Sequence, residues 1–91
     1  MSVRRTGKVQ IVNRLGLHAR PAMALADLAN VYSCNVHLKS GETTVDAKSI
    51  MEILMLAAVK GTELEVTCDG PDADACLEAL SKLVANGFDE E

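Results

Sequence analysis

The sequence predicts an α+β fold, an open-faced β-sandwich with the element order βαββαβα. Four segments alternate polar and apolar residues with the period of two that half-buried strands require. Three other segments repeat apolar residues at helical spacing. Because every strand alternates, the sheet has one wet face and one covered face. We therefore expect a four-stranded antiparallel sheet with three helices on one face.

The first strand and the first helix flank a short loop. Residues 8–12 alternate as a strand, and apolar residues recur at helical spacing from residue 19 to about residue 31. Pro21 lacks an N–H group and has a fixed φ, so it fits only the first turn of a helix. The helix therefore begins at about His18 or Ala19, with His18 at its N-terminal cap.

The middle of the chain is predicted to form a hairpin and a short helix. Residues 35–39 and 43–46 alternate, and the Ser-Gly-Glu sequence between them is typical of a turn. Ser49 and Glu52 follow the capping-box pattern, which predicts a helix ending at about residue 56 or 57.

The last strand and the last helix complete the order. Residues 63–68 alternate, with Leu64, Val66 and Cys68 on one side. The helix after them carries an apolar stripe made of Ala73, Cys76, Leu77, Leu80, Leu83 and Val84. Asn86-Gly87 is a helix stop signal, and the final four residues, Phe88-Asp89-Glu90-Glu91, are expected to form a tail.

Composition excludes several classes of function. Ninety-one residues make one domain, with a core of small and aliphatic side chains because aromatic residues are only 2% of the chain. A formal net charge of −4 and the shortage of stacking side chains argue against nucleic acid as a partner. No apolar run approaches the length of a membrane span or a signal peptide, so we expect a soluble cytoplasmic protein without membrane insertion.

The cysteines predict no metal site. Cys34, Cys68 and Cys76 form no C-x-x-C pair, and no histidine stands at metal-ligand spacing from them. We expect buried free thiols in a reducing compartment.

The segment that joins the first strand to the first helix contains the candidate functional residues. It reads Gly16-Leu17-His18-Ala19-Arg20-Pro21-Ala22. The first N–H groups of a helix have no partner within it, and with the helix dipole they attract an anion. Arg20 adds planar donors that match phosphate oxygens. We interpret His18 as a nucleophile that accepts a phosphoryl group, with Gly16, Leu17 and Ala19 as a backbone cradle for the phosphate.

Residue pattern alone leaves a simpler interpretation open. A single histidine beside a helix start is commonly a capping or surface residue without chemistry. His37, on the polar face of its strand, is expected to be such a solvated residue.

The same segment resembles the G-L-H-A-R-P-A signature of the HPr family, the small histidine phosphocarriers of the phosphotransferase system. Residues 47–51 and 58–62 resemble the family's second and third landmarks. The resemblance covers nearly the whole chain and implies one HPr-like domain over residues 1–91. It implies that enzyme I phosphorylates His18 at Nδ1 and that an enzyme II A-type protein receives the group. It further implies a monomeric carrier without a cofactor.

The short middle helix is apolar on nearly all sides, although a helix on an open sandwich cannot bury every side. Exposed apolar residues, and methionine in particular, mark docking surfaces. By resemblance to the family, Ile50, Met51 and Leu54 form the docking patch beside the histidine. Ile53 and Leu56 are expected in the core.

Ser49 has two interpretations. Structurally it is a helix cap that stabilises the helix by about 1 kcal/mol. By resemblance it matches the serine that HPr kinase/phosphorylase modifies in many family members. Glu52 stands where such members usually have glycine, and its carboxylate would repel a phosphoserine. Both interpretations stay open at this stage.

The branch of the family is also open. Leu15 and the ending over residues 86–91 are similar to the nitrogen-related branch, NPr, whereas residues 48–51 are similar to the sugar branch. Two functions of other classes remain as alternatives: an adaptor that binds only through the Ile50-Met51-Leu54 patch, and a regulatory domain that senses a small molecule. The intact set of His18, Arg20 and Pro21 argues against the adaptor, which needs none of the three.

Overall fold

The computed structural model describes residues 3–90, which form four strands, three α-helices and a final 3-10 turn. The strands are β1 (Arg4–Gln10), β2 (Asn35–Ser40), β3 (Thr43–Asp46) and β4 (Glu63–Asp69). The helices are α1 (Ala19–Ala29), α2 (Ile50–Met55) and α3 (Ala73–Ala85), and the C-terminal turn covers Gly87–Asp89. The predicted order βαββαβα is confirmed. None of the helices in this described part is long and apolar enough to cross a membrane.

The sheet is antiparallel throughout, with the spatial order β1-β4-β2-β3. β4 lies in the centre, where Val66 is opposite Gly7 of β1 on one side and Leu38 of β2 on the other. Leu64, Val66 and Cys68 are fully buried under the helices, as their alternation predicts. The predicted open-faced β-sandwich is therefore confirmed.

Small side chains let the helices approach the sheet closely. Ala22, Ala26 and Ala29 of α1 are buried, and so are Ala73 and Cys76 of α3. Leu77 and Leu83, which were predicted in the α3 stripe, are only partly buried. Larger aliphatic residues such as Leu25, Ile53, Leu64 and Leu80 fill the remaining space. Burying each of these large side chains contributes roughly 1.5–3 kcal/mol.

The first strand is longer and earlier than predicted. β1 pairs with β4 from Arg4 opposite Asp69 to Gln10 opposite Glu63. Its N-terminal half is polar and exposed, so it lacks the alternation that marks a strand in the sequence. Ile11, predicted within the strand, lies beyond its end and is buried in the core. Helix α1 ends at Ala29, two residues before the predicted end.

The cap of α2 is only half of the predicted capping box. Ser49 Oγ accepts the backbone N–H of Glu52 at 3.3 Å, as expected of an N-cap. The Glu52 carboxylate does not accept a hydrogen bond from the Ser49 N–H, as a full capping box would require. It accepts the backbone N–H of Asp46 at 3.1 Å, and the Ser49 N–H donates to the Asp46 carbonyl.

The predicted C-terminal tail is wrong for the part that the structure describes. After α3, the residues Gly87, Phe88 and Asp89 adopt φ values of 64°, 58° and 59°, which form a left-handed turn. This turn places Phe88 in the core, 7% exposed. The burial of an aromatic ring offsets the strain of two non-glycine residues with positive φ. Glu91 lies outside the described residues.

Candidate functional site

His18 caps α1, as predicted. Its backbone is extended, and its carbonyl accepts the N–H of Ala22 at 3.0 Å, the first bond of the helix. Its side chain makes no capping hydrogen bond to the helix. The N–H groups of Ala19 and Arg20 precede that first bond, and Pro21 has none, so two N–H donors point out of the helix end beside the imidazole.

The turn before His18 is held by the loop that follows α2. Leu17 N–H donates to the Ala58 carbonyl at 2.9 Å, and Gly16 adopts a φ of 68°. A Cβ at position 16 would lie 2.4 Å from the Ala58 oxygen, so this position requires glycine.

The same bonds revise the predicted cradle. The N–H of Gly16 donates to the Asn13 carbonyl at 3.2 Å, and the N–H of Leu17 donates to the Ala58 carbonyl. Neither group is available to an anion, and the Leu17 side chain is buried. Of the three predicted cradle residues, only Ala19 keeps an available N–H group, and the N–H group of Arg20 lies beside it. Gly16 and Leu17 shape the turn instead.

The imidazole of His18 contacts a carboxylate that the sequence did not suggest. His18 Nε2 lies 2.8 Å from Oε1 of Glu90. An ionised carboxylate can only accept a hydrogen bond, so Nε2 carries a proton, and in the neutral ring Nδ1 keeps its lone pair. The hydrogen bond from His18 is the main cause that lowers the pKa of Glu90, and a second bond from Asn13 acts in the same direction. In the neutral ring, this arrangement leaves Nδ1 as the nitrogen without a proton.

Asn13 fixes the position of Glu90. This asparagine is buried, and its Nδ2 donates both to Glu90 Oε1 at 2.9 Å and to the Gly16 carbonyl at 2.8 Å. The bonds join the C-terminal turn to the loop that carries the histidine. Neither Asn13 nor Glu90 was predicted in the site, because neither belongs to a local motif around His18.

The surface around His18 is a shallow cavity of about 450 Å³ with two guanidinium groups. Its lining consists of Arg14, Leu15, His18, Ala19, Arg20 and Glu90. Arg20 lowers the pKa of Glu90 further through its charge. Arg14 is a second cation, which sequence reasoning did not single out.

Exposed apolar residues lie on α2, on the loop that follows it and on the histidine loop, where Leu15 lines this cavity. Met51 and Met55 are each 74% exposed, whereas Ile53 of the same helix is fully buried, as predicted. Ile50 and Leu54 are exposed to a smaller degree. Leu15 of the histidine loop and Val59, whose Cα approaches Gly16, are exposed as well. We call Leu15, Ile50, Met51, Leu54, Met55 and Val59 the apolar patch.

The remaining sequence candidates lie outside the cavity. Ser49 is the cap of α2, and His37 is exposed on the open face of the sheet. The three cysteines are free and buried, as predicted. Desolvation is the main cause that raises the pKa of Cys34 to about 12 and that of Cys76 to about 11.

Comparison with known proteins agrees with the fold. The family profile described as the PTS HPr component phosphorylation site matches residues 5–86. The chain is 45% identical over 84 residues to the phosphocarrier protein HPr of Pseudomonas aeruginosa, covering 91% of this chain and 93% of that one. It is 41% identical to the phosphocarrier protein NPr of Escherichia coli K12 over the full length of both chains.

Solved structures give the same result. The HPr-C-His structure from Thermoanaerobacter tengcongensis superposes with a TM-score of 0.92 at 32% identity, covering 96% of this chain and 98% of that one. HPr from Bacillus anthracis superposes with a TM-score of 0.86 at 36% identity, covering 90% and 98%. Fold and site thus define a small open-faced sandwich built around a helix-capping histidine. The chain belongs to the HPr family of phosphocarrier proteins.

Proposed function

We propose that this protein is a phosphocarrier whose phosphoryl acceptor is Nδ1 of His18. The observation that carries the proposal is the 2.8 Å contact from His18 Nε2 to Glu90, which leaves Nδ1 unprotonated beside a helix N-terminus. The N–H groups of Ala19 and Arg20 and the Arg20 guanidinium hold the phosphate oxygens.

The transfer step balances without a cofactor. The Nδ1 lone pair attacks the phosphorus of a phosphohistidine on the donor, and the N–P bond of the donor breaks as the new one forms. The proton on Nε2 stays on the ring, which becomes positively charged and is stabilised by Glu90. The reverse sequence passes the group to an acceptor. The protein itself has little turnover, since it is a substrate of the enzymes on either side.

The partners that fit this role are enzyme I, or its nitrogen-branch counterpart, and enzyme II A-type acceptors. Docking of both uses Ile50, Met51 and Leu54, because these apolar side chains are exposed and binding would remove their apolar area from water. Relatives named HPr and NPr match at similar identity, so sugar uptake and nitrogen-related regulation are both compatible with the sequence.

Ser49 is a further candidate for modification by an HPr kinase/phosphorylase. Its hydroxyl is at the N-terminus of α2, where a phosphate is favoured by the free N–H groups. The nearby Glu52 carboxylate opposes that charge. Incubation of the protein with kinase and ATP, with Ser49→Ala as control, separates the two effects.

Phosphorylation by enzyme I and phosphoenolpyruvate, followed by intact mass, tests the proposal. We expect one acid-labile phosphate per chain, absent in His18→Ala and unchanged in His37→Ala, the matched control. The phosphate is expected to be lost in acid because protonation of the phosphoramidate nitrogen makes the imidazole a good leaving group. Phosphate that persists in His18→Ala contradicts the assignment. No phosphate at all supports the adaptor or the sensor. Parallel reactions with sugar-branch and nitrogen-branch enzyme I identify the branch by the faster rate.

A further inference from the structure

The three cysteines of the protein, far apart in sequence, meet at one point under the sheet. Cys34 immediately precedes β2, Cys68 is near the end of β4, and Cys76 is in α3. Their Sγ atoms all lie within 4.8 Å of one another. Each side chain is at most 1% exposed. Sequence spacing did not indicate this cluster, because each thiol comes from a different element.

The fold holds the three thiols in place before any ligand arrives. Cys68 is opposite Val36 in the β2–β4 ladder, and Cys34 is two residues from Val36, so both thiols face the covered side. Cys76 belongs to the buried stripe of α3 that packs on this side. The loop carrying Cys34 is fixed by the Asp72 carboxylate, which accepts the N–H groups of Ser33 at 2.7 Å and Cys34 at 2.9 Å.

A glycine brings the Cys34 loop close to the end of β4. Gly70 has a φ of 154°, and a Cβ there would lie 2.7 Å from Cys34 Cα. No larger residue fits without moving Cys34 away from the other two thiols. The cluster is therefore a consequence of backbone geometry and not of flexible side chains.

The spacing of the sulfur atoms fits a three-coordinate soft metal ion. A metal at the centre of three thiolates with metal–sulfur bonds of about 2.3 Å places the sulfur atoms about 4.0 Å apart. Because the Sγ atoms already lie within 4.8 Å of one another, binding requires only a sub-ångström contraction of the distances between them. Structural zinc almost always takes four ligands, whereas this buried cluster offers three within residues 3–90. Thiolates are also suited to the soft ion Cu(I), and its filled d shell imposes no other geometry.

We propose that Cys34, Cys68 and Cys76 form a buried Cu(I)-binding site. Each bond from copper to a thiolate replaces an S–H bond, and the released proton goes to solvent. Copper remains Cu(I), so no oxidant or reductant takes part. Because the thiols are buried, the ion enters during folding or through local opening of the Cys34 loop.

The site is remote from the phosphocarrier chemistry. His18 lies beside the C-terminal turn that follows α3, whereas the thiols are near the N-terminal end of that helix. The nine residues from Cys76 to the end of α3 alone span roughly 13 Å. The proposal therefore does not rest on the proposed function, and each can fail without the other.

Anaerobic Cu(I) titration tests the proposal. The full chain, with thiols reduced, is refolded from denaturant with Cu(I) and a competing Cu(I) chelator, then freed of excess metal. We expect one equivalent of Cu(I) per chain, thiolate-to-copper absorption, and X-ray absorption showing sulfur neighbours only. With free Cu(I) at a hundred times Kd, Tm should rise by roughly 10 °C or more. Copper that binds with oxygen or nitrogen neighbours contradicts the proposal.

Variants distinguish Cu(I) binding at the cysteine cluster from Cu(I) binding at histidine or methionine side chains. Cys76→Ala and Cys34→Ala, each checked by circular dichroism for a native fold, should lower the affinity for Cu(I) at least tenfold. His18→Ala and Met51→Leu, the matched controls, should bind one equivalent as the unaltered chain does. Retention of binding in either folded cysteine variant overturns the proposal, as does absence of uptake on refolding. A Zn(II) titration with tighter binding than Cu(I) overturns the choice of ion.

Discussion

At the scale of single residues, the chemistry of His18 depends on the proton that its other nitrogen donates to Glu90. The Glu90 side chain is 17% exposed and that of His18 is 37% exposed, so the contact is partly shielded from water. The pKa of Glu90 is lowered chiefly by this hydrogen bond. The charged acceptor is therefore present at neutral pH.

Removal of Glu90 should slow phosphorylation without abolishing it. In Glu90→Ala the ring loses the acceptor that holds its Nε2 proton and stabilises its charge after transfer. We expect a decrease in the rate of phosphoryl acceptance of roughly tenfold or less, because the contact is partly solvated. Nitrogen-15 NMR should show a mixture of His18 tautomers. Glu78→Ala removes an exposed carboxylate that pairs with Lys82 and is the control. Identical rates and tautomers in Glu90→Ala contradict this role.

The same contact has a defined pH dependence. Since the pKa of Glu90 is lowered in the folded protein, the contact stabilises the fold fully above the usual carboxyl pKa. Its contribution is lost as the pH falls through the lowered value. The difference in Tm between the unaltered chain and Glu90→Ala should therefore shrink on acidification and stay constant from pH 6 to about pH 7. A difference that grows on acidification contradicts the assignment.

Arg20 should affect the transfer step and not docking. We expect its guanidinium to stabilise the phosphoryl group during transfer and on His18, so Arg20→Ala should lower the transfer rate by roughly ten- to a hundredfold. The lifetime of phosphohistidine should also change. Arg20→Lys should recover part of the rate, because an ammonium supplies charge without the planar pair of donors. Single-turnover kinetics with enzyme I separate rate from affinity. A loss of affinity at unchanged rate indicates a docking role instead.

At the scale of elements, α2 combines one buried side with an exposed apolar surface. Ile53 is fully buried, whereas Met51, two residues after the Ser49 cap, is 74% exposed. The helix has only six residues, and its cap bond from Glu52 N–H to Ser49 helps to set its first turn. The four members of the apolar patch on α2 are therefore presented by a short helix whose one buried residue is Ile53.

Met51→Asp should weaken docking while the fold stays intact. Binding would bury an aspartate without a partner, so we expect the apparent affinity for enzyme I to fall at least tenfold. The free energy of unfolding should change by about 0.5 kcal/mol or less, since the side chain is exposed. Val31→Asp is the matched control, because Val31 is an apolar residue of similar exposure, 72%, outside the patch.

Phosphotransfer at varied carrier concentration and thermal melts decide this prediction together. Normal affinity in Met51→Asp excludes the patch as the docking surface. Loss of transfer that coincides with a low Tm shows unfolding and also contradicts the prediction. Equal loss in Val31→Asp indicates a general charge effect.

At the scale of the whole molecule, the C-terminal turn connects the core to the site. Phe88 is buried and α3 positions the turn, so Glu90 reaches His18 across 72 residues of sequence. The left-handed residues Phe88 and Asp89 cost of order 1–2 kcal/mol each, and this cost is met only while Phe88 stays packed. Packing of Phe88 in the core and the contact between Glu90 and His18 are therefore coupled.

Phe88→Ala should alter both properties. Loss of the buried ring should lower the free energy of unfolding by about 3 kcal/mol, and the released turn should free Glu90 from His18. We expect the phosphorylation rate of Glu90→Ala to be reproduced, with no further decrease when both substitutions are combined. Urea denaturation and the transfer assay measure the two effects. Phe88→Leu, which keeps an apolar anchor, should retain most of the rate. Additive rate losses in the double variant contradict the coupling.

The sequence by itself determined the features that depend on neighbouring residues. Strict alternation in β2, β3 and β4 predicted the strands and their buried side. Pro21 predicted the start of α1 and hence His18 at its cap, and the apolar α2 predicted exposed residues beside buried Ile53. These patterns act within one element, where backbone geometry alone relates residue spacing to side-chain direction.

Only the tertiary structure decided the features that join distant segments. The sheet order β1-β4-β2-β3 places Asp69 opposite both Arg4 and Asn35, and periodicity carries no information on which strands become neighbours. The same long-range packing brings Glu90 to His18, turns Phe88 inward and assembles three thiols from three elements. Such contacts depend on the summed burial of the whole core, so no local pattern around His18 or Cys34 contains them.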